Sequence, residues 1–286
     1  MEARRIDRLG RARLVSVVVA ALMTVSSVVG LWKPGLYQDP LEVAAELRAY
    51  DLVTLALAVP LLVGSLVMSR RGSVGAQLTW LGVLMYASYN YAIYVFGSAF
   101  NDMFLVHTAV LPLSAGAAVL LLLNVDAAAV RGRFRPGTPA RSISAVLLLV
   151  GVSLAGMWVF HSLRFAFTGA PPGESELVLP MQAVHLAYAL DLVLFVPGCA
   201  LASILLWRRN SWGYVLATAV LVFGALYQVN YVVALVFQAE AGVPGAPGFD
   251  PAEPLVAGVF LAAVVIMGVS LRPAVRRSGN PVAVRK

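Results

Sequence analysis

Charged residues are scarce in this sequence, since Asp, Glu, Lys and Arg together make up 12 % of its 286 residues. Soluble domains carry about a quarter. Apolar residues account for 60 % of the chain instead, and the mean hydropathy is +0.84. A membrane-crossing helix needs about 20 mostly apolar residues, so this composition supplies about eight such helices and little else. We therefore expect an all-α integral membrane protein without a separate soluble domain.

Cysteine and lysine are nearly absent, which excludes several kinds of chemistry. Cys199 is the single cysteine, so an intrachain disulfide, a CxxC redox motif and a cysteine-based zinc site are excluded. The lysines, Lys33 and Lys286, lie outside the apolar segments, which excludes a retinal-type Schiff base on a buried amine. The sequence also lacks a Gly-Lys-Ser/Thr step, so it contains no Walker A phosphate-binding loop.

Long apolar runs predict eight membrane spans. Their approximate bounds are 14–32, 50–68, 77–97, 103–124, 143–165, 184–207, 214–237 and 254–271. In this arrangement all of the 21 Lys and Arg residues except Lys33, Arg48 and Arg164 fall on one side of the membrane. The positive-inside rule then places both termini in the cytoplasm, and we expect a multi-pass protein of the plasma membrane. The same distribution explains the formal net charge of +7 without a nucleic-acid partner.

Short sequence matches indicate an internal repeat. The matched pairs are Val59-Pro60 with Val196-Pro197, Arg70-Arg71 with Arg208-Arg209, and Asn90-Tyr91 with Asn230-Tyr231, at offsets of 137, 138 and 140 residues. Because each copy holds an even number of spans, the copies would share one orientation, as in parallel-repeat transporters. The expected fold is two tandem four-helix repeats in parallel orientation. The predicted units are a cytoplasmic tail (1–13), repeat 1 (14–124), a cytoplasmic linker (125–142), repeat 2 (143–271) and a cytoplasmic tail (272–286).

Polar groups inside spans are costly unless they are paired or hydrated, so they mark candidate sites. Asp191 lies within the sixth span between Leu190 and Leu192 and is the leading candidate for ligand contact. A structural hydrogen bond to a neighbouring helix is the alternative role. Asp51, at the outer edge of the second span, is expected to be an exposed interface residue.

Further polar side chains are expected near Asp191 in the outer half of the bundle. Asn90 and Asn230 should point into the bundle because their amides cannot face lipid cheaply, and both helix bonding and ligand contact remain open for them. His161 and Arg164 share one helix face at a spacing of i, i+3. The predicted ligand-binding residues are Asp191, Asn90, Asn230, Tyr91, Tyr231, His185, His161 and Arg164.

No cofactor and no metal site are expected. The three histidines, His107, His161 and His185, fall at a similar predicted depth, which leaves a haem or metal ion as an alternative. No HxxxH or HExxH spacing supplies two ligands from one helix.

A block of the sequence runs from Tyr89 to Leu105 and is accompanied by Asp51-Leu52-Val53 and Val59-Pro60. Together these segments resemble a family of bacterial polytopic membrane proteins with eight spans. The resemblance implies membership of that family, which has no assigned activity, and therefore implies no mechanism.

These patterns favour a transporter-like, small-molecule-binding or lipid-binding membrane protein whose polar site opens to the outer leaflet. Two alternatives remain open. One is a membrane-embedded enzyme that acts on a lipid or isoprenoid, with Asp191 and a histidine as an acid/base pair. The other is an accessory or structural subunit with a membrane-protein partner. The expected partners are otherwise the lipid bilayer and a small lipophilic or polar organic ligand, and no nucleic acid.

Overall fold

A computed structural model describes residues 2–169, 177–249 and 251–272, with side chains described from residue 9 onward. All regular elements in this part of the chain are helical. The α-helices are α1 (Glu2–Trp32), α2 (Leu41–Val53), α3 (Val59–Arg70), α4 (Val74–Gly97), α5 (Phe104–Leu122), α6 (Ala127–Arg133), α7 (Ala140–Thr168), α8 (Met181–Leu190), α9 (Val196–Trp207), α10 (Ser211–Glu240) and α11 (Ala252–Val269). Most of the predicted C-terminal tail (272–286) lies outside the described residues.

Seven helices of the described chain are long and apolar enough to cross a membrane, which makes this a multi-pass integral membrane protein. They are Leu9–Trp32, Leu41–Arg70, Phe104–Leu122, Ala140–Thr168, Met181–Trp207, Ser211–Glu240 and Ala252–Val269. Large apolar side chains such as Leu149, Val193 and Leu255 are exposed on the outside of the bundle. Such a surface suits hydrocarbon better than water.

The predicted third span coincides with α4, which is 24 residues long but less apolar than the other long helices. Its polar character comes from buried side chains, among them Tyr86, Asn90 and Tyr94. These face α5, α10 and the other helices packed around α4. The helix therefore combines the length of a span with an interior that is unusually rich in hydroxyl and amide groups.

Two of the long helices contain a π-helical segment directly before a Val-Pro pair. The first segment, Thr54–Ala58, joins α2 to α3, and the second, Asp191–Phe195, joins α8 to α9. Proline lacks an amide proton and collides with the carbonyl four residues earlier, so a wider turn there relieves the clash. The segments lie 137 residues apart, the offset of the Val-Pro pairs in the sequence.

The start of α2 shows where a prediction from the sequence needs correction at its boundary. The span predicted to begin at residue 50 begins at Leu41 and continues without a break to Arg70. The additional turns are helical because Val43, Ala45 and Leu47 are buried in the bundle, where α2 packs against α10. The segment 41–50, which the sequence predicts to lie along the membrane surface as an amphipathic helix, is instead part of the bundle.

Helix α10 lies at the centre of the molecule. It packs against α2, α4, α9 and α11, and most of its side chains are buried. The first four long helices close into a group in which α1 packs on α5 and α4 packs on α3 and α5. In the second group, α7 packs principally on α9.

Candidate functional site

A cavity of about 340 Å³ lies at one end of the bundle, where α2, α8 and α11 begin and α4, α7 and α10 end. Six aromatic side chains line it, together with aliphatic residues and two carboxylates. The aromatic residues are Tyr50, Tyr89, Trp158, Tyr188, Tyr227 and Tyr231. Met157 of α7 also lines the cavity and is 43 % exposed, so the cavity reaches the outer surface of the bundle beside α7.

Asp191 lies directly behind this aromatic wall and organises it. Its carboxylate is fully buried and accepts hydrogen bonds from Tyr89 Oη at 2.7 Å, Trp158 Nε1 at 2.9 Å and Tyr227 Oη at 3.3 Å. The donors come from α4, α7 and α10, so one carboxylate fixes rings from three helices. Asp191 is the first residue of the π-helical segment between α8 and α9, and the wide turn there directs its carboxylate toward the donors on α4, α7 and α10.

Ring packing holds the wall together further. Trp158 stacks on Tyr188 with 3.9 Å between ring centroids, and Tyr89 meets Tyr227 edge to face at 5.2 Å. Both geometries are favourable for aromatic pairs. The wall is therefore preorganised before any ligand enters.

The cavity's carboxylates are Glu46 on α2 and Glu253 on α11. Glu46 is 6 % exposed and accepts a hydrogen bond from Tyr50 Oη, one turn later on the same helix. Glu253 accepts a hydrogen bond from the side-chain amide of Gln228. None of the described residues that line the cavity is a lysine, arginine or histidine, so its polar surface is acidic.

A second buried polar cluster joins α4 and α10 with the first π-helical segment. Asn230 Nδ2 donates to Asn90 Oδ1 at 3.0 Å, and Asn90 Nδ2 donates to Thr54 Oγ1 at 3.3 Å. Tyr86 Oη donates to Asn230 Oδ1 at 3.0 Å. None of these four residues lines the cavity. In this structure the asparagines therefore bond helices together, one of the two roles left open by the sequence.

Asp51 was expected to be an exposed interface residue, and that prediction is wrong. It is 1 % exposed and accepts hydrogen bonds from Tyr37 Oη at 2.6 Å and Tyr94 Oη at 3.1 Å. Helix α1 comes so close that a Cβ on Gly30 would lie 1.8 Å from Asp51 Oδ2. The pKa of Tyr37, which lies between α1 and α2, is raised by burial and then by the Asp51 carboxylate, so its hydroxyl keeps its proton.

The structure separates the predicted site residues into four groups. Tyr231 lines the cavity and Asp191 supports it, while Asn90 and Asn230 belong to the polar cluster. Tyr91 is buried among the first group of helices, against Tyr94 and His107. His161, Arg164 and His185 are not among the described cavity residues, and His161 packs against Phe160.

The histidines occupy different environments. His107 is buried and its Nε2 lies 2.9 Å from Ser26 Oγ, whereas His185 is exposed. Within residues 2–169, 177–249 and 251–272 no group of three or more His, Cys, Asp or Glu side chains is placed to hold a metal ion.

Several cavity residues were missed by reasoning from the sequence. The sequence predicts an amphipathic helix over 41–50 that lies along the membrane surface and includes Glu46, and it places Glu253 just before the last span. The sequence feature that relates Glu46 to the site is its position four residues before Tyr50, because this spacing places both side chains on the helix face that is directed into the bundle. Trp158 carried no polar pattern that distinguished it from ordinary interface aromatics. Tyr188 was identified only through its i, i+3 spacing from His185 and Asp191, which places the three on one helix face.

Comparison with known proteins gives no further guide, because no protein-family model, curated protein or solved structure matches this chain.

Proposed function

We propose that this chain is a membrane protein that binds a small organic molecule in the cavity at the outer end of its bundle. The observation that supports this proposal is the cavity itself. It has a volume of about 340 Å³ and is lined by six aromatic rings, which hydrogen bonds to Asp191 and ring packing hold in place. Ligand sites have volumes of about 300–1,000 Å³ and combine apolar walls with a few placed polar groups.

Orientation and span number belong to the same proposal. Helix α4 would be an eighth span, since it has the length of a span and packs among helices that qualify by composition. With eight spans in the plasma membrane, the positive-inside rule predicts that both termini are cytoplasmic. The cavity then lies toward the outer leaflet.

A tandem duplication is also part of the proposal. The two π-helical segments and the helix N-caps Ser73 and Asn210 recur at the same offset of 137 residues. Asn90 and Asn230 bond directly to each other. Residues related by a two-fold axis along the membrane normal would meet in this way at the boundary between two copies.

Transport is a second candidate function, favoured by the paired π-helical segments. Both lie in helices that contribute to the cavity, and π-helical turns are frequent at functional sites. An acid/base role for Asp191 is less well supported, because its described hydrogen-bond donors are two tyrosines and a tryptophan and no described cavity residue is a histidine.

Thermal unfolding in lipid nanodiscs tests the binding function. A ligand that binds the folded state raises the unfolding temperature by mass action. We expect at least one member of a panel of small neutral, cationic and anionic aromatic compounds to stabilise the protein. Ala183→Trp, which fills the cavity, should abolish this effect, and Ala189→Trp, on an exposed face of the same helix, should retain it. A panel without any effect, or equal effects in both variants, would contradict the proposal.

A further inference from the structure

The charged side chains among the described residues that line the cavity are carboxylates. Two carboxylates, Glu46 and Glu253, belong to its lining, and none of the described lining residues is cationic. A buried carboxylate is costly unless a cation or several donors stabilise it. Glu46 receives a hydrogen bond from Tyr50 of its own helix, and this neutral partner supplies no positive charge.

Most hydrogen-bond donors of the lining are already used. Tyr89, Trp158 and Tyr227 all donate to Asp191, outside the cavity, and Tyr50 donates to Glu46. An anionic or strongly accepting ligand would need donors directed into the cavity. These residues instead offer a ligand their ring surfaces, while the carboxylates offer acceptor oxygens.

Aromatic faces and carboxylates together are the surface that recognises organic cations. A positive charge within about 6 Å of a ring centroid is attracted to the face of the ring, and recognition of quaternary ammonium groups uses such aromatic cages. The attraction to a carboxylate is stronger in a low-dielectric interior than in water. The stacked pair Trp158 and Tyr188 provides the largest aromatic surface.

We infer that the cavity binds a monovalent organic cation with an apolar body, such as a quaternary ammonium group joined to one aromatic ring. This inference rests on the proposed binding function and specifies its ligand class. The volume of about 340 Å³ accommodates a single ring with its ammonium group better than a two-chain lipid. The positive group would lie between Glu46 and the aromatic wall.

Benzyltrimethylammonium and neopentylbenzene form a matched probe pair, because they share one shape and differ in charge. Binding is measured by calorimetry on the full chain in nanodiscs of zwitterionic lipid, after subtraction of the signal from empty nanodiscs. We expect the dissociation constant of the cation to be at least tenfold lower than that of the neutral compound.

Variants that remove the charge of one carboxylate test which residue is responsible for the preference for the cation. Glu46→Gln should reduce the cation preference to less than threefold, and Glu42→Gln, one turn earlier and outside the described lining, should leave it unchanged. Glu253→Gln is a second variant at a less buried position, in case Glu46→Gln does not fold. It should also lower the preference.

The outcomes separate the two proposals. Equal binding of both probes, or a cation preference that survives both glutamine variants, overturns the cation inference while the cavity remains a binding site. If neither probe binds and the wider aromatic panel has no effect on unfolding, the binding function fails and the inference fails with it.

Discussion

Asp191 and Glu46 are both buried carboxylates, yet their surroundings give them different roles. Asp191 has three hydrogen-bond donors and no exposed surface, so it acts on the cavity through the rings that it positions. Glu46 belongs to the lining itself and has a hydrogen bond from Tyr50. The first is a positioning residue and the second a candidate for direct ligand contact.

Replacing Asp191 with leucine should destabilise the protein strongly. The change leaves the Tyr89, Trp158 and Tyr227 donors without their acceptor, and each unsatisfied buried donor costs about 1–3 kcal/mol. We expect a loss of about 3 kcal/mol or more in the free energy of unfolding, measured by denaturation in nanodiscs. Asp191→Asn retains an acceptor oxygen and should lose less.

The same pair of variants distinguishes positioning from contact. Asp191→Asn should weaken binding of the charged and the neutral probe by similar factors, because it disturbs the shape of the wall. Glu46→Gln should weaken the charged probe alone. If Asp191→Asn removed the cation preference selectively, Asp191 would have to contact the ligand.

Sequence reasoning could single out Asp191 but not Glu46, for a physical reason. A lone carboxylate between Leu190 and Leu192 stands out because hydrocarbon surrounds it in every plausible placement. Glu46 precedes the strongly apolar segment, and the sequence is equally compatible with an exposed position for its side chain. Only the packing of α2 on α10 decides that its face is buried.

At the scale of elements, the close approach of α1 to α2 depends on a glycine. Asp51 Oδ2 and Tyr37 Oη occupy the space where a larger residue at position 30 would place its Cβ, at 1.8 and 2.7 Å. The surrounding hydroxyl groups hold the carboxylate in place. The contact therefore has little room to adjust.

Gly30→Ala should destabilise the bundle by about 2–3 kcal/mol, because overpacking a close-packed contact forces the neighbours to move. Gly64→Ala on α3 is the matched control, since nothing lies within 4 Å of its added methyl group. The control should be neutral or slightly stabilising, as alanine is a better helix former. Unfolding of both variants at the wild-type temperature would contradict the described contact between α1 and Asp51.

The long helices were predictable as elements, and their irregular turns were not. Apolar runs locate the spans because burial in lipid demands about 20 such residues. Pro60 and Pro197 lie within two of these spans, but a proline in the sequence does not specify a π-helical turn. The extension of α2 back to Leu41 also depends on a neighbouring helix, which a single segment cannot reveal.

At the scale of the whole molecule, the number of crossings depends on α4. Its mean hydropathy falls below that of the other long helices because its buried face carries tyrosines and Asn90. A helix enclosed by other helices needs less apolar surface than one that faces lipid. The low hydropathy of α4 is therefore compatible with the proposed eighth span.

Site-directed labelling of cysteines tests this crossing, and the single native cysteine makes the background simple. In a Cys199→Ala background, Ala99→Cys should react with a membrane-impermeant maleimide in intact cells, because residue 99 is exposed between α4 and α5. Arg71→Cys, exposed before α4, should react only after the membrane is opened. Reaction of both positions from one side would exclude α4 as a span.

The proposed repeat appears in the sequence only as short matches with drifting offsets. In the structure the π-helical segments keep the offset of 137 residues, while Asn90 and Asn230, 140 residues apart, contact each other. Most of the drift thus falls in α4 and α10, whose contact joins the two groups of helices. A contact between the two proposed copies would place demands on the sequence that the repeat alone does not predict.

The exposed position of Met157 in the cavity wall has a consequence for how a ligand would arrive. On a helix that crosses the bilayer, the exposed side of Met157 would contact lipid acyl chains. A ligand dissolved in the bilayer could then enter the cavity laterally, directly from the lipid. The apparent affinity would then scale with the partition coefficient of the ligand. Amphiphilic cations that concentrate at the interface would saturate the protein at aqueous concentrations far below their intrinsic dissociation constants.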